Sequence, residues 1–286
     1  MAEIKETAAK FKIVADSSAD LNFLDGVPFA SAPLKIITDT KEYVDNAKLD
    51  VEQMVDELSA YKGKSTTACP SSSDWLESFG DAEKVFCVTI TGALSGSCNA
   101  ARVAKHDYEE EHPDRSVFVI DSLSAGPELG LIVEKLKEYI LSGMPYEEIC
   151  EKITEYKSRT GLLFMLESMK NLANNGRVNP FVAKAAGLLG IRVVGKASDK
   201  GELDPMEKSR GEKKALSAIV NIMKELGVRG GKVKIGHCRN EAAALSLKKQ
   251  IIDTFPKAAV DIYRSRGLCS FYCEKGGLMI GFEKEQ

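Results

Sequence analysis

The sequence predicts an α/β protein of two domains, an N-terminal parallel-sheet α/β domain followed by a C-terminal α+β domain with a mixed sheet. Three observations carry this. In the first half, β-branched apolar runs pass into small polar loops and then into amphipathic helices, the repeat that builds a parallel sheet. In the second half, strands are joined by a hairpin signal as well as by helices. A chain of 286 residues also exceeds one ordinary domain of ~100–200 residues. The boundary is expected near Ser158, dividing the chain into residues 1–158 and 159–286.

Phe11–Ala15 is a compact apolar strand, and Asp16-Ser17-Ser18-Ala19-Asp20 offers caps for a following helical turn. Phe29–Ile37 is a second extended stretch, and the turn residues of Thr38–Asp45 suggest a hairpin. Val51–Tyr61 places Val51, Met54, Val55 and Leu58 at helical spacing. Ser65 to Ser73 reads as a polar turn at a helix start, with Pro70 opening a helix that buries Trp75, Leu76 and Phe79. Lys84–Ile90 is a strand leading through Thr91-Gly92-Ala93-Leu94-Ser95-Gly96-Ser97 into a helix that runs to Tyr108. Ser116–Asp121 leads likewise through Ser122-Leu123-Ser124-Ala125-Gly126 into a helix to about Leu141, and Pro145 opens another that ends near Ser158.

Beyond that point Gly161–Leu166 is a strand, and Glu167–Leu172 and Phe181–Leu189 look helical. Arg192–Ala197 and Glu202–Pro205 flank a Ser-Asp-Lys-Gly turn. Glu212–Leu226 is a helix. Lys232–His237, Asn240–Phe255, Ala258–Arg264 and Leu278–Glu283 follow as strand, helix, strand and strand.

A net charge of −3 and the lack of a basic block argue against nucleic acid as a partner. No apolar run approaches the ~18 residues of a membrane span. The first ten residues lack the apolar core of an export signal, and the seven cysteines form no close pairs. Reduced thiols and a cytoplasmic location are therefore expected.

In a parallel sheet the loops after the strand ends gather on one edge, where ligands bind. Ser95-Gly96-Ser97 is such a loop. Helix-start amides and the helix dipole favour an anion there, and glycine allows close approach. The residues alone leave two readings open, an anion site or a plain helix cap. Thr66 and Thr67 allow the same two readings. Asn171 to Gly176 looks like a helix stop, leaving Arg177 as an ion-pair partner or an anion ligand. Arg210, with Lys213 and Lys214, opens a basic helix start. No P-loop, no G-x-S-x-G and no G-x-G-x-x-G after a strand is present. His237, Cys238, Cys269 and Cys273 match no common zinc spacing, so no metal is expected. Phe164, Met165, Leu166, Leu188 and Met279 belong to apolar runs that suit either a core or a pocket.

Taken in order, several segments resemble the DegV family over nearly the whole chain, from about Phe11 to Phe282. They are Ile13 to Leu21, Thr67-Ala68-Cys69-Pro70-Ser71, Leu94-Ser95-Gly96-Ser97, Asp121-Ser122 with Ser124 and Gly126, Leu172 with Gly176-Arg177-Val178, and Arg210-Gly211 with Lys214-Ala215. The resemblance implies two domains with a long-chain fatty acid bound between them and no further cofactor. It implies that Thr67 and Ser95, with Gly96 and Ser97 of the same loop, receive the carboxylate. It also implies that Phe164, Met165, Leu166, Leu188 and Met279 line the acyl chain. The chain would itself be no enzyme; a separate ATP-dependent fatty acid kinase subunit would phosphorylate the presented carboxylate, with Arg177 and Arg210 as ligand or partner contacts. Cys273 stands where the family often carries a histidine near the carboxylate. Two other readings compete: an acyl hydrolase using Ser95 or Cys273, and a regulatory module with a vestigial lipid pocket.

Overall fold

The structure, a computed structural model, describes residues 10–179 and 190–284. The first strand, β1 (Phe11–Asp16), ends in a residue whose carboxylate accepts from the Ser18 amide at 3.2 Å. That bond caps a single 3-10 turn over Ser17–Ala19, which is all that forms of the expected helix start. β2 (Phe29–Ala32) then runs parallel to β1. The stretch expected to be one strand from Phe29 to Ile37 is two, divided at Pro33, which has no amide proton to give a sheet. Past it, β3 (Lys35–Ile37) enters a small antiparallel sheet with β4 (Glu42–Val44), the expected hairpin partner.

After α1 (Val51–Ala60), capped by Asp50, the third member of that small sheet is β5 (Thr66–Ala68). Thr66 and Thr67 are therefore strand residues and not part of a turn at a helix start. Thr67 is paired opposite Ile36. The helix itself, α2 (Ser72–Phe79), begins later with a reciprocal Ser71–Asp74 capping box.

β6 (Lys84–Thr89) is followed by α3 (Ser97–Glu111), and β7 (Ser116–Asp121) by α4 (Pro127–Leu141) and α5 (Tyr146–Ser158). The four-stranded sheet has the order β2-β1-β6-β7 and is parallel throughout. Trp75, Phe79, Ala101 and Ala104 from α2 and α3 fill one face. Leu129, Ile132, Leu136 and Ile149 from α4 and α5 fill the other.

The remaining elements are β8 (Thr160–Leu166), α6 (Lys170–Asn174), β9 (Ile191–Ala197), β10 (Leu203–Arg210), α7 (Glu212–Glu225), β11 (Gly230–His237), α8 (Glu241–Thr254), β12 (Lys257–Arg264), α9 (Gly267–Cys273) and β13 (Leu278–Glu283). Their strands form a six-stranded mixed sheet in the order β10-β9-β8-β13-β11-β12, in which only β11 and β12 pair in parallel. One parallel and one mixed sheet is the fold class the sequence predicts. The helix expected over Glu167–Leu172 begins later, at Lys170, and α9 was not expected at all. The expected helix Phe181–Leu189, with Leu188, lies outside the described residues.

α4 joins the two sheets. It packs on β1 and β6 and also on β11 and β13. Its start sits so close to β13 that a Cβ on Gly281 would lie 2.6 Å from the Glu128 nitrogen. Glycine is what lets that helix end rest on the strand backbone.

Candidate functional site

Successive side chains of a strand point to opposite faces. β8 therefore sorts its apolar run into two sets. Leu163 and Met165 enter the core beneath α7 and α8, whereas Leu162, Phe164 and Leu166 face the other way. On that second face lies a cavity of about 330 Å³, within the ~300–1,000 Å³ usual for small-ligand sites. Met165 is fully buried in the α7/α8 core and does not line it, which corrects the expectation for that residue. Phe164, Leu166 and Met279 do line it, together with Leu34, Ile90, Ala125, Leu172, Leu203 and Leu268.

The polar lining residues form two hydrogen-bonded sets that approach each other at Cys69 and Gly96. Thr67 Oγ1 and Tyr272 Oη lie 2.6 Å apart. Two positions after Thr67, the Cys69 sulfur lies 3.2 Å from where a Cβ on Gly96 would stand. Gly96 is the N-cap of α3 and offers no capping side chain. Next to it, the Ser95 oxygen accepts from the Ser97 amide at 3.3 Å, which leaves the Ser95 proton available to a ligand. Arg177 completes the second set: its Nε donates to the Leu94 carbonyl at 3.1 Å, and its guanidinium also bonds the Asn175 carbonyl. Thr67, Ser95, Gly96, Arg177 and Cys273, expected from separate parts of the chain, all line this one cavity.

Ser97 does not. Its hydroxyl donates to Asp16 Oδ2 at 2.6 Å, and the residue is fully buried. Asp16 also accepts from the Ile90 amide at 2.8 Å and the Ser18 hydroxyl at 2.5 Å. Burial pushes the Asp16 carboxyl above its ordinary range, and these hydrogen bonds pull it back. Ser97 is thus a strut that pins the start of α3 to the end of β1, which corrects its expected ligand role.

Cys273 lines the cavity, but burial pushes its thiol well above the ordinary range, so it stands as a neutral, weak donor. Arg210 ends β10, exposed and outside the cavity lining. No histidine lines the cavity; His237 is buried at the end of β11, where its Nδ1 accepts from the Asn240 amide at 3.3 Å. A hydrolase using Ser95 or Cys273 would need a base within hydrogen-bond reach, and no imidazole stands there. Among the described residues no group of three or more His, Cys, Asp or Glu side chains is arranged to hold a metal ion, and no helix is long and apolar enough to cross a membrane.

Sequence reasoning missed Tyr272 because it missed α9. That helix is tied down at both ends. The amides of Gly267 and Leu268 donate to the Asp45 carboxylate at 3.0 and 2.9 Å, and the Arg266 amide to Asp20 at 2.9 Å. At the other end Asn171 of α6 donates its side-chain amide to the Phe271 carbonyl at 2.8 Å and its backbone amide to Glu274 at 3.0 Å. Leu268, Phe271 and Tyr272, spaced three and four apart, were the visible signal of a short amphipathic helix.

Residues 10–285 match the family described as "Uncharacterised protein, DegV family". The chain belongs to the DegV family. A DegV domain-containing protein of Streptococcus pneumoniae (strain R6) is 44% identical over 277 residues, covering 96% of this chain and 99% of that one. Among solved structures, a DegV family protein from Eubacterium eligens loaded with heptadecanoic acid superimposes with a TM-score of 0.94 at 43% identity, over 96% of this chain and 100% of the other. The Streptococcus pneumoniae Fatty Acid Kinase (Fak) B3 protein loaded with linoleic acid gives a TM-score of 0.94 at 44% identity, over 96% and 99% of the two chains. The pairing of one parallel and one mixed sheet is thus a DegV fold over nearly its full length.

Proposed function

We propose that this DegV protein holds one long-chain fatty acid in the cavity and presents its carboxylate to a separate, ATP-dependent kinase subunit. The observation that carries the reading is the distribution of polarity: an apolar cavity with polar lining from two hydrogen-bonded sets, Thr67 with Tyr272 and the Ser95–Gly96 loop with Arg177. A flexible apolar ligand with a single anionic end matches that distribution. The fatty acids named for the two similar solved structures support it.

A carboxylate taken out of water costs several kcal/mol unless it is hydrogen-bonded. Bonds to a charged group return about 1.5–3 kcal/mol each, so the Ser95 and Thr67 hydroxyls offset much of that cost. Each buried methylene adds about 0.8 kcal/mol. The acyl chain accordingly sets the affinity, and the polar group sets which end faces outward. In this reading phosphoryl transfer belongs to the partner, and Arg210, exposed and off the cavity, is on the partner's side. In the same reading Arg177 and Cys273, which line the cavity, contact the ligand.

The test is equilibrium binding of a labelled sixteen- or eighteen-carbon fatty acid to the wild type and to Ser95→Ala. The wild type binds saturably at one site, and the substitution weakens binding by about 1–3 kcal/mol. A wild type that binds no fatty acid contradicts the reading. An unchanged affinity removes Ser95 from the site.

A further inference from the structure

We propose that Tyr272 is a positioning residue for the ligand's carboxyl end, its hydroxyl donating to Thr67 and so aiming the Thr67 proton into the cavity. The inference rests on the fatty-acid reading above.

Each of the two hydroxyls has one proton to give, and the oxygens lie 2.6 Å apart, a short bond for neutral groups. One proton is therefore spent inside the pair, and the other is left for the ligand. A phenol is the stronger acid of the two and so the better donor, which directs the internal bond from Tyr272 to Thr67. The Thr67 oxygen, polarised by the bond it accepts, donates more strongly in turn. A threonine hydroxyl otherwise rotates freely about its C–O bond; here one direction is selected.

Both partners are fixed by their elements. Thr67 sits in β5, paired to β3. Tyr272 sits on α9, with the Phe271 ring edge-on at 4.9 Å and the helix held by Asp45, Asp20 and Asn171. The bond links positions 205 residues apart and joins the small antiparallel sheet of the first half to a helix of the second. Carboxylate recognition then depends on α9 being seated, and removing one phenolic oxygen uncouples the two without disturbing the aromatic packing.

The experiment measures dissociation constants for palmitate and for hexadecan-1-ol, which has the same chain and no charge. The proteins are the wild type, Tyr272→Phe, Thr67→Val, Thr67→Ser and the Tyr272→Phe/Thr67→Val double variant. Tyr272→Phe and Thr67→Val each weaken palmitate by about tenfold or more. Hexadecanol changes by less than about threefold in each, because the alcohol draws far less on a charge-assisted donor. Thr67→Ser, which keeps the hydroxyl, retains the preference for the acid. The double variant loses little more than the worse single one, since the two hydroxyls act through one bond. Unchanged palmitate binding in Tyr272→Phe overturns the proposal. So does equal weakening of acid and alcohol, the mark of a structural role, and so do losses that multiply in the double variant. Failure of the wild type to bind palmitate defeats the fatty-acid reading itself, a separate result.

Discussion

Ser95 and Ser97 stand two positions apart, yet only Ser95 lines the cavity, because buried Asp16 takes the Ser97 hydroxyl. A buried carboxylate collects the nearest donors, and what it collects is lost to a ligand. Asp20 shows what happens with fewer donors. It accepts from the Arg266 amide through Oδ1, its Oδ2 is buried without a hydrogen bond, and burial, with Asp45 nearby, lifts its carboxyl from 3.8 to about 7. Between those values the folded chain holds a proton that the unfolded chain has released, so stability falls as pH rises. The contribution is fully present below about pH 4 and lost above about pH 7. Asp20→Asn keeps an acceptor for Arg266 and removes the charge. Urea unfolding at pH 5 and pH 8 is expected to show a smaller stability difference for this variant than for the wild type; equal differences would mean that Asp20 does not titrate in this range.

At the scale of elements, alternation along β8 decides which apolar residues meet a ligand. The sequence presents five apolar residues in a row from Leu162 to Leu166, and a run without polar alternation does not reveal its faces. That is why Met165 was expected beside Phe164 in the pocket when it lies on the opposite side of the sheet. The two residues therefore answer differently to truncation. Met165→Ala leaves a hole in the α7/α8 core and costs about 2–5 kcal/mol of stability, with fatty-acid affinity unchanged. Phe164→Ala also destabilises but widens the cavity, so its preference moves toward longer or more bent acyl chains. Thermal melts and a chain-length series check both, and a shifted preference in Met165→Ala would contradict the assignment of faces. β5 and α9 were hidden for a different reason: Thr66–Ala68 is a three-residue strand paired to β3, and α9 is a seven-residue helix held by distant carboxylates. Local pattern carries little signal for elements fixed by partners far away in the chain.

For the molecule as a whole, the strand–loop–helix repeat was enough to read the parallel sheet, and it led to Ser95 because loops after parallel strands converge. Strand and helix patterns alone did not bring Thr67 and Arg177 to that loop; the family resemblance did, and Tyr272 was missed because it depends on α9 being brought against the edge of the first sheet. α4 holds that arrangement by packing on both large sheets, and Gly126 at its start, with φ of +59°, comes so near Met279 that a Cβ there would meet the methionine methyl at 2.7 Å. Met279 thus belongs both to the wall of the cavity and to the contact at the start of α4. Native mass spectrometry of the freshly purified protein, repeated after lipid extraction, tests the central claim most directly. The account predicts one bound species per chain with the mass of a long-chain fatty acid, released on extraction and restored by adding the free acid. A protein that carries no such species, and takes up none when it is offered, would contradict it.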